Sequence, residues 1–347
     1  MLKPTILVLF GGCSSEHTVS LSSACAVLGA LKRRGYPVLP VAITPEGAWF
    51  YYTGPLDAIE RGTWSADAAL CLPCLPSLTR GENYLYLPKG EKRSYDAVFP
   101  VLHGKNGEDG TVQGLFELAG APVIGCGVLS SALCMDKDRS HKIASQAGVR
   151  VPESAVFQQG DDLSLIEAAA EKLGYPLFVK PVRGGSSIGI TKVLGPSALS
   201  SAVTAAFELD GEILLEKEVP GFEVGCAVLG TDSLTTGQPD EIELGGAFFG
   251  FEEKYSLKTS RIHCPARVSP EKAAEIQETA KLLFRAFGCR VCARVDFFLT
   301  PQGELVFNEV NTIPGFTAHS RYPGMMRAVG IGFDELIEKL VSLGVQP

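Results

Sequence analysis

Apolar and polar residues alternate in blocks along the first third of the chain, and the blocks predict strands followed by helices. The predicted strands lie at 5–10, 37–43 and 95–102, and the predicted helices at 20–35 and 111–120. Strands that alternate with helices favour a parallel α/β sheet. The prolines of the second strand suit a sheet edge. Residues 53–94 are too rich in turn formers for an assignment.

After about residue 135 the pattern changes to short strands separated by helices and glycine-rich turns. Ser269, Pro270 and Gly288 suit the N-cap, the first residue and the end of one helix. Ser164 and Glu167 form a capping-box pattern that opens another. The helices expected here lie at 135–148, 164–173, 270–287 and 333–343. The expected strands are 176–181, 188–193, 212–219, 222–230, 241–249, 292–299 and 304–310.

Length and charge narrow the class of protein. A chain of 347 residues predicts two or three domains, and its net charge of −8 argues against a dedicated nucleic-acid binder. An anionic ligand would therefore need a local basic pocket. No apolar run approaches the ~18 residues that span a bilayer. Ten cysteines without a secretory signal predict a cytoplasmic protein with reduced thiols.

Two cysteine pairs have CxxC spacing, Cys71/Cys74 and Cys289/Cys292. Together they imitate a four-thiolate zinc site, but the separation between the pairs is far too long for a zinc ribbon. We favour thiols that pack in the core as small apolar side chains.

Glycine, with 38 residues, is concentrated in three loops. FGGCSSEHTVS (10–20) runs from a strand into a helix start, a place that attracts anions, and its Glu16 either caps the helix or binds a substrate ammonium group. HGKNGEDG (103–110) is either a ligand-binding loop at a strand end or a tight solvated turn. KPVRGGSSIGI (180–190), with Lys180, favours a phosphate-binding loop over an ordinary hairpin.

A polar cluster follows residue 293. Asp296 lies on one predicted strand, and Glu309 and Asn311 lie two residues apart on the next, so both face the same side. Three oxygen ligands from neighbouring strands suit Mg²⁺. Arg294 shares a face with Asp296 and can stabilise the charge that develops in acyl transfer. A buried Asp–Arg ion pair is the alternative.

Seven motifs in order make the chain resemble the D-alanine–D-alanine ligase family of the ATP-grasp superfamily over essentially its whole length. They are FGGxSxEHxVS, HGxxGEDG, KPxxxGSSxGI, EKxxxGxE, a Lys-Tyr pair, RVD and NExNTxPGxTxHS. The resemblance implies an ATP-grasp fold, α/β with α+β character in the ATP-binding part, preceded by a Rossmann-like parallel α/β domain. The implied units are an N-terminal substrate domain at 1–134, a central subdomain at 135–220, and a C-terminal subdomain at 221–347 with a lid at 247–264.

The resemblance implies ATP-dependent synthesis of a peptidoglycan-precursor dipeptide in two steps. The carboxylate of D-alanine attacks the γ-phosphate of ATP and becomes an acyl phosphate. The amine of a second D-amino acid then attacks the carbonyl carbon and expels phosphate. The implied ligands are ATP, two Mg²⁺ or Mn²⁺ ions and the two amino acids, with no nucleic acid or membrane partner. A homodimer through the N-terminal domain is also implied.

The resemblance carries four groups of site residues over to this chain, motif by motif. The expected catalytic residues are Glu16, Ser186, Tyr255, Arg294 and Gly315. The residues expected at the amino acid substrates are His103, Ser320 and Arg321. The residues expected at ATP are Lys137, Lys180, Ser187, Glu216, Lys217, Val219, Glu223 and Lys254. The expected metal ligands are Asp296, Glu309 and Asn311.

Arg321 leaves the second substrate open between D-alanine and D-serine. D-Alanine-specific members commonly carry leucine after the motif serine, here Ser320, whereas an arginine can donate hydrogen bonds to a hydroxymethyl group. HSRYP is similar to the segment in the D-alanine–D-serine ligases of vancomycin-resistance clusters, so we favour D-serine. Alternatively, Arg321 turns to solvent or to a carboxylate and the acceptor is D-alanine. The retained Lys254-Tyr255 pair argues against D-lactate.

Three other classes of protein compete with this interpretation. Another ATP-grasp carboxylate–amine ligase would share the ATP and metal residues but neither Glu16 nor HSRYP. A nicotinamide-dependent oxidoreductase needs a GxGxxG turn, which the chain lacks. A non-catalytic nucleotide-binding protein has no need of Arg294 beside an intact metal set.

Overall fold

The computed structural model describes residues 2–243, 260–317 and 319–345, and within these ranges four sheets pack against helices. The strands are β1 (Ile6–Gly11), β2 (Val38–Ile43), β3 (Trp49–Tyr52), β4 (Cys71–Pro73), β5 (Leu75–Pro76), β6 (Tyr84–Tyr86), β7 (Lys92–Ser94), β8 (Ala97–Pro100), β9 (Ser154–Gln158), β10 (Leu177–Pro181), β11 (Thr191–Val193), β12 (Glu212–Lys217), β13 (Phe222–Gly230), β14 (Leu234–Thr236), β15 (Asp240–Glu243), β16 (Arg261–His263), β17 (Val291–Leu299) and β18 (Leu305–Asn311). The helices are α1 (His17–Arg33), α2 (Leu56–Glu60), α3 (Thr111–Ala119), α4 (Val128–Met135), α5 (Lys137–Gln146), α6 (Leu163–Leu173), α7 (Leu199–Phe207), α8 (Pro270–Ala286), α9 (Arg321–Ala328) and α10 (Phe333–Val345).

The N-terminal sheet has the strand order β4-β3-β2-β1-β8. Strands β8, β1 and β2 are parallel, which confirms the prediction for these three strands. Strands β3 and β4, which were not predicted, add antiparallel pairs at one side of the sheet. The prediction that β2 lies at the edge is wrong. Its Pro40 is tolerated because β3 pairs only with residues 41–43. Residues 53–94 hold a second small sheet, β5-β6-β7.

The end of the chain is built into the core of the N-terminal sheet. Helix α10 packs against α1, and one cluster of buried side chains joins Phe10 and Val27 to Ile313, Phe316 and Tyr322. Phe316 packs edge-on against Phe99 of β8, with the ring centroids 5.9 Å apart. The segment between β18 and α9 is therefore fixed by apolar burial against the N-terminal unit.

Two antiparallel sheets make up the rest of the fold. The first, β11-β10-β12-β9, packs on α6 and α7. The second, β16-β15-β13-β17-β18, carries α8 on its apolar face. The hairpin β17–β18 aligns Asp296 with Glu309 and Arg294 with Asn311, which confirms the predicted arrangement on neighbouring strands.

The capping residues predicted from the sequence are correct for α8 and incorrect for α6. The Ser269 side chain caps α8, Pro270 is its first residue, and Gly288 has φ 65° just beyond its end, all as predicted. The capping box at Ser164 is wrong, because α6 begins one residue earlier and Asp162 accepts from the Ser164 N–H at 2.9 Å. Helices α4, α7 and α9 were not predicted. No helix in the described ranges is long and apolar enough to cross a membrane.

Candidate active site

A cavity of about 190 Å³ lies where the loops after β1 and β8 meet the ends of β17 and β18 and the start of α9. Most of the predicted catalytic, substrate and metal residues line it. They are Glu16, His103, Ser186, Arg294, Glu309, Asn311, Gly315, Ser320 and Arg321. Residues more than 300 positions apart in the sequence thus share one site.

Glu16 stands at the start of α1 but does not cap it, since its side chain makes no capping hydrogen bond. Its carboxylate accepts instead from the hydroxyl of Ser186. Two glycines from different loops close on the same carboxylate: a Cβ at Gly104 or Gly185 would come within 2.6 and 2.7 Å of Glu16 Oε2. The glycine clusters therefore serve to let two loops approach one acidic side chain, and the helix-cap interpretation of Glu16 is wrong.

The loop between β10 and β11 carries Ser186 and Ser187 in left-handed backbone conformations, with φ 50° and 60°. Such conformations are costly for non-glycine residues and are concentrated at functional sites. The two strands do form an antiparallel pair, so the phosphate-loop and hairpin interpretations are not exclusive. Strand β11 begins at Thr191 rather than at the predicted residue 188, because the loop extends through residue 190.

Asp296 is fully buried beneath the cavity. The Arg294 guanidinium donates to both of its oxygens, with Nε–Oδ1 at 2.9 Å and Nη2–Oδ2 at 2.8 Å. The amide of Asn311 donates to Oδ2 at 3.0 Å. The buried Asp–Arg pair considered as an alternative is therefore present, and it stands beside the predicted oxygen donors rather than in place of them.

Arg321, the first residue of α9, is a second buried guanidinium in this region. It binds Asp240 through Nε at 2.8 Å and Nη2 at 2.7 Å, and Glu223 through Nη1 at 2.6 Å. Burial alone would lower the pKa of Arg321, but the carboxylates of Asp240, Asp296 and Glu223 outweigh it and raise the pKa. A side chain at Gly225 would collide with this group. Arg321 thus turns to carboxylates, the orientation considered in the D-alanine alternative, and it also lines the cavity.

Three predicted ATP residues surround the buried His141 of α5. Lys180 pairs with Glu216 at 2.5 Å, and both side chains are almost completely buried. Lys137 donates to the Gly184 carbonyl at 2.5 Å. Burial lowers the pKa of His141, the Glu216 carboxylate opposes the shift, and the Lys180 and Lys137 ammonium groups add to it. The two lysines and the carboxylate therefore form one cluster of charges.

The other predicted ATP residues lie elsewhere or outside the described ranges. Lys217 and Val219 line a separate cavity of about 240 Å³, and Lys217 contacts Glu153 at 3.6 Å. Glu223 contacts Arg321, so a residue predicted at ATP and a residue predicted at the acceptor touch each other. Lys254, Tyr255 and most of the predicted lid at 247–264 lie outside the described residues.

Glu108 lines the cavity and was not singled out from the sequence. It accepts from the backbone N–H groups of Gly104 at 2.8 Å and Ile313 at 3.2 Å. Burial and the nearby Glu16 carboxylate raise the pKa of Glu108 to about 8, against the lowering effect of these two hydrogen bonds. Its presence in the glycine-rich motif HGKNGEDG was the one available signal.

The donors around the cavity fit a hard divalent cation better than a soft one. Glu309 and Asn311 line the main cavity and also a smaller one that includes Lys137. Asp296 of the neighbouring strand β17 lies in register with Glu309. Carboxylate and amide oxygens suit Mg²⁺. The CxxC cysteines, in contrast, are buried in three different apolar clusters, as expected of core residues.

Two antiparallel sheets flank a buried lysine cluster beside a cavity with arginine and oxygen donors, the arrangement of an ATP-grasp enzyme. Comparison with known proteins makes the class more specific. Residues 5–126 match the family model described as D-ala D-ala ligase N-terminus, and residues 143–342 match D-ala D-ala ligase C-terminus. The chain belongs to the D-alanine–D-alanine ligase family and is an ATP-using ligase that forms a peptide bond.

Similar proteins include D-alanine–D-alanine ligases and vancomycin-resistance proteins. The crystal structure of VanG D-Ala:D-Ser ligase from Enterococcus faecalis is 50% identical, with a TM-score of 0.91, and the match covers 98% of this chain and 99% of that one. Vancomycin C-type resistance protein VanC2 from Enterococcus casseliflavus is 43% identical over 97% of each chain. A D-alanine–D-alanine ligase from Caldicellulosiruptor bescii is 40% identical over 100% of this chain and 96% of its own.

The buried Lys180–Glu216 pair generates a stability prediction. Lys180→Met leaves the Glu216 carboxylate buried without a counter-charge, so we expect the free energy of unfolding to fall by about 3–5 kcal/mol. Lys217 follows Glu216 on β12. Lys217→Met breaks its exposed ion pair with Glu153 and should lower the free energy of unfolding by about 0–1 kcal/mol. Urea denaturation measures both. Equal losses in the two variants would contradict the assigned role of the buried pair.

Proposed function

We propose that the protein joins D-alanine to D-serine through a D-alanyl phosphate, at the expense of ATP. The observation that carries the proposal is the cavity that Glu16, Ser186, Arg294 and Gly315 line together. The cavity offers a carboxylate for an ammonium group and donors for a developing oxyanion. Family membership and the likeness to ligases with these substrates support it.

In the first step, Glu16 holds the ammonium group of D-alanine and so orients its carboxylate toward the γ-phosphate of ATP. Lys137, Lys180 and Lys254 balance the phosphate charges. Binding of the nucleotide would require Lys180 to share its ammonium group between Glu216 and the phosphates. We assign the adenine to Glu216, Lys217 and Val219, the ribose to Glu223, and further phosphate contacts to Ser187.

In the second step, the amine of the acceptor attacks the carbonyl carbon of D-alanyl phosphate. Arg294 and the Gly315 backbone N–H stabilise the tetrahedral oxyanion, and the C–O bond to phosphate then breaks. Ser320 binds the acceptor carboxylate, and His103 lies at the first amino acid. Tyr255 joins Glu16 and Ser186, and the lid at 247–264 keeps water from the acyl phosphate.

We propose that Glu309, Asn311 and Asp296 hold two Mg²⁺ or Mn²⁺ ions. When bound, these ions neutralise charge on the transferring phosphoryl group. The guanidinium of Arg294 donates to both oxygens of the Asp296 carboxylate and so orients it. Asp296 and Arg294 therefore act together in holding the donor set in place.

The acceptor assignment rests on the position of Arg321. A guanidinium has five N–H donors, and its contacts with Asp240 and Glu223 use three of them. Nη2 also lies 3.4 Å from Asp296 Oδ1, and Arg321 lines the cavity. We propose that a remaining N–H donates to a serine hydroxyl, whereas a methyl group gains nothing there. The 50% identity to a D-Ala:D-Ser ligase supports the same acceptor.

We also propose a homodimer formed through the N-terminal unit. Leu75 and Tyr86 of the small sheet, Leu78 beside it and Leu118 of α3 are exposed apolar side chains. The Gly81 N–H donates to the Ala119 carbonyl at the end of α3, so this loop and helix lie side by side. Exposed apolar patches of this kind mark contact surfaces.

Dipeptide synthesis tests the function directly. With ATP, Mg²⁺, D-alanine and D-serine, we expect D-Ala-D-Ser as the main product by mass spectrometry.

Arg321→Lys keeps the charge but loses the bidentate contact with Asp240, so the ratio of kcat/KM for D-serine to that for D-alanine should fall about 10-fold. Arg327→Lys on the exposed face of α9 is the control. Failure to form ADP refutes the ligase proposal, and exclusive D-Ala-D-Ala refutes the acceptor.

Glu309→Gln tests the metal assignment. The change preserves size but removes one anionic ligand, so the Mg²⁺ concentration for half-maximal activity should rise about 10- to 100-fold. Glu304→Gln, an exposed residue paired with Arg150, is the matched control. Asp296→Ala is less suitable, because it would leave Arg294 and Arg321 without their shared counter-charge. An unchanged Mg²⁺ dependence in Glu309→Gln would overturn the assignment.

Leu118→Lys tests the dimer. A charge placed in the exposed apolar patch should shift the protein from twice the chain mass to the chain mass in light scattering. Leu282→Lys, at an exposed position on α8, should leave the mass unchanged. A monomeric parent protein would contradict the proposed dimer.

A further inference from the structure

One loop of the N-terminal unit bonds to both the backbone N–H and the backbone carbonyl of Ile313. The Ile313 carbonyl bonds to His103 Nδ1 at 3.1 Å, and the Ile313 N–H donates to Glu108 Oε1 at 3.2 Å. His103 and Glu108 lie at the two ends of the same short turn after β8. They reach a residue more than 200 positions away that stands two residues before Gly315.

A second contact holds the far side of Gly315. His103 Nε2 bonds to the Ser23 hydroxyl at 3.0 Å, and the Phe316 N–H donates to the same hydroxyl at 3.4 Å. Since Nδ1 faces a carbonyl, it carries the proton of a neutral ring and Nε2 accepts from Ser23. Both ring nitrogens of His103 are thus used by protein groups.

The turn that makes these contacts is itself braced. The second oxygen of Glu108 accepts from the Gly104 N–H at 2.8 Å, and the Ser14 hydroxyl donates to the His103 carbonyl at 2.6 Å. Gln113 donates to the Gly107 carbonyl at 2.7 Å. A Cβ at Gly107 would collide with the backbone of Leu102, so the turn is tightly packed. A braced turn can impose its geometry on the segment that it contacts.

We propose that Glu108, His103 and Ser23 are positioning residues that hold residues 313–316 so that the Gly315 N–H points at the oxyanion of the second step. This inference rests on the proposed function. It assigns Glu108 no contact with substrate and gives His103 a role through the protein backbone. It also explains why the loop after β8 carries a partly buried carboxyl group next to Glu16, a neighbour that raises the pKa of Glu108.

Misplacement of Gly315 has a specific chemical consequence. The first step can proceed, since it needs the phosphate-binding residues and Glu16. Attack by the acceptor amine is slowed, and D-alanyl phosphate is exposed for longer to water. Water then attacks the phosphorus atom, a route that forms no oxyanion at the carbonyl carbon and does not need Gly315. The P–O bond to D-alanine breaks, D-alanine and phosphate are released, and ADP forms without dipeptide. A merely destabilised protein would instead lose both products in proportion.

The test compares Glu108→Gln with Asp109→Asn. In Glu108→Gln, one of the two N–H donors at Gly104 and Ile313 must face the amide NH₂, so one hydrogen bond is lost. Asp109 is the next residue in the same turn. In the part of the chain that the structure describes, its carboxylate accepts hydrogen bonds from the nearby N–H groups of Asn106 and Thr111. We expect Glu108→Gln to lower the kcat for dipeptide about 10- to 100-fold and to raise the ratio of ADP to dipeptide several-fold. Asp109→Asn should keep the parental ratio.

A parental ratio in Glu108→Gln, or an equal rise in both variants, would overturn the inference. Ser23→Ala against Ser22→Ala on the same helix provides a second comparison if Glu108→Gln does not fold. Ser23→Ala should raise the ratio and Ser22→Ala should not, and equal ratios would again overturn the inference. Absence of ADP with the parental protein would refute the proposed function itself, which separates the two failures.

Discussion

Two guanidinium groups, those of Arg294 and Arg321, line the cavity with little exposure to solvent, and carboxylates on the surrounding strands balance their charge. A buried charge without a partner costs several kcal/mol. Asp296 of β17 serves both arginines, and Asp240 at the start of β15 binds Arg321 in bidentate fashion. Only glycine fits at position 225 between them. This charge balance holds three elements in one place before any ligand arrives.

The remaining wall of the cavity depends on the same constraint. Glu309 and Asn311 project from β18 in register with Asp296 and Arg294, so the buried pair determines where the oxygen donors stand. The loops after β1 and β8 close the site with Glu16 and Glu108, which add negative charge. The overall charge of −8 is thus compatible with a phosphate-using enzyme, because the basic residues are collected locally around Lys137 and Lys180.

The spacing of residues along the chain predicted those parts of the fold that depend on interactions between residues close in sequence. Alternation along two strands placed Asp296, Glu309 and Asn311 together, and the residue types at Ser269 and Gly288 delimited a helix. The motif resemblance placed Ser186 against Glu16, which spacing alone could not do. These predictions need only the chain near each residue, or a pattern of residues already known to converge.

Features decided by distant partners could not be read in the same way. Glu108 has the same local sequence environment as the solvated residues of its turn, but its carboxylate turns into the site, where the N–H of Ile313, 205 positions later, donates to it. Asp240 shows no sequence signal, since its role follows from Arg321. The interior position of β2 depends on β3 folding back against it. Asp162 displaced Ser164 as a cap because its carboxylate reaches the Ser164 N–H, a detail that the capping-box pattern conceals.

Under the proposed function, D-alanine is activated as an acyl phosphate in this cavity. This activation is tested most directly with D-alanine labelled with ¹⁸O in its carboxylate, incubated with ATP, Mg²⁺ and D-serine. If the acyl phosphate forms, one labelled oxygen passes to inorganic phosphate for each dipeptide. The reason is that this carboxylate oxygen attacks the γ-phosphorus and stays bonded to it when phosphate is expelled. Dipeptide formation with no label in phosphate would contradict the account.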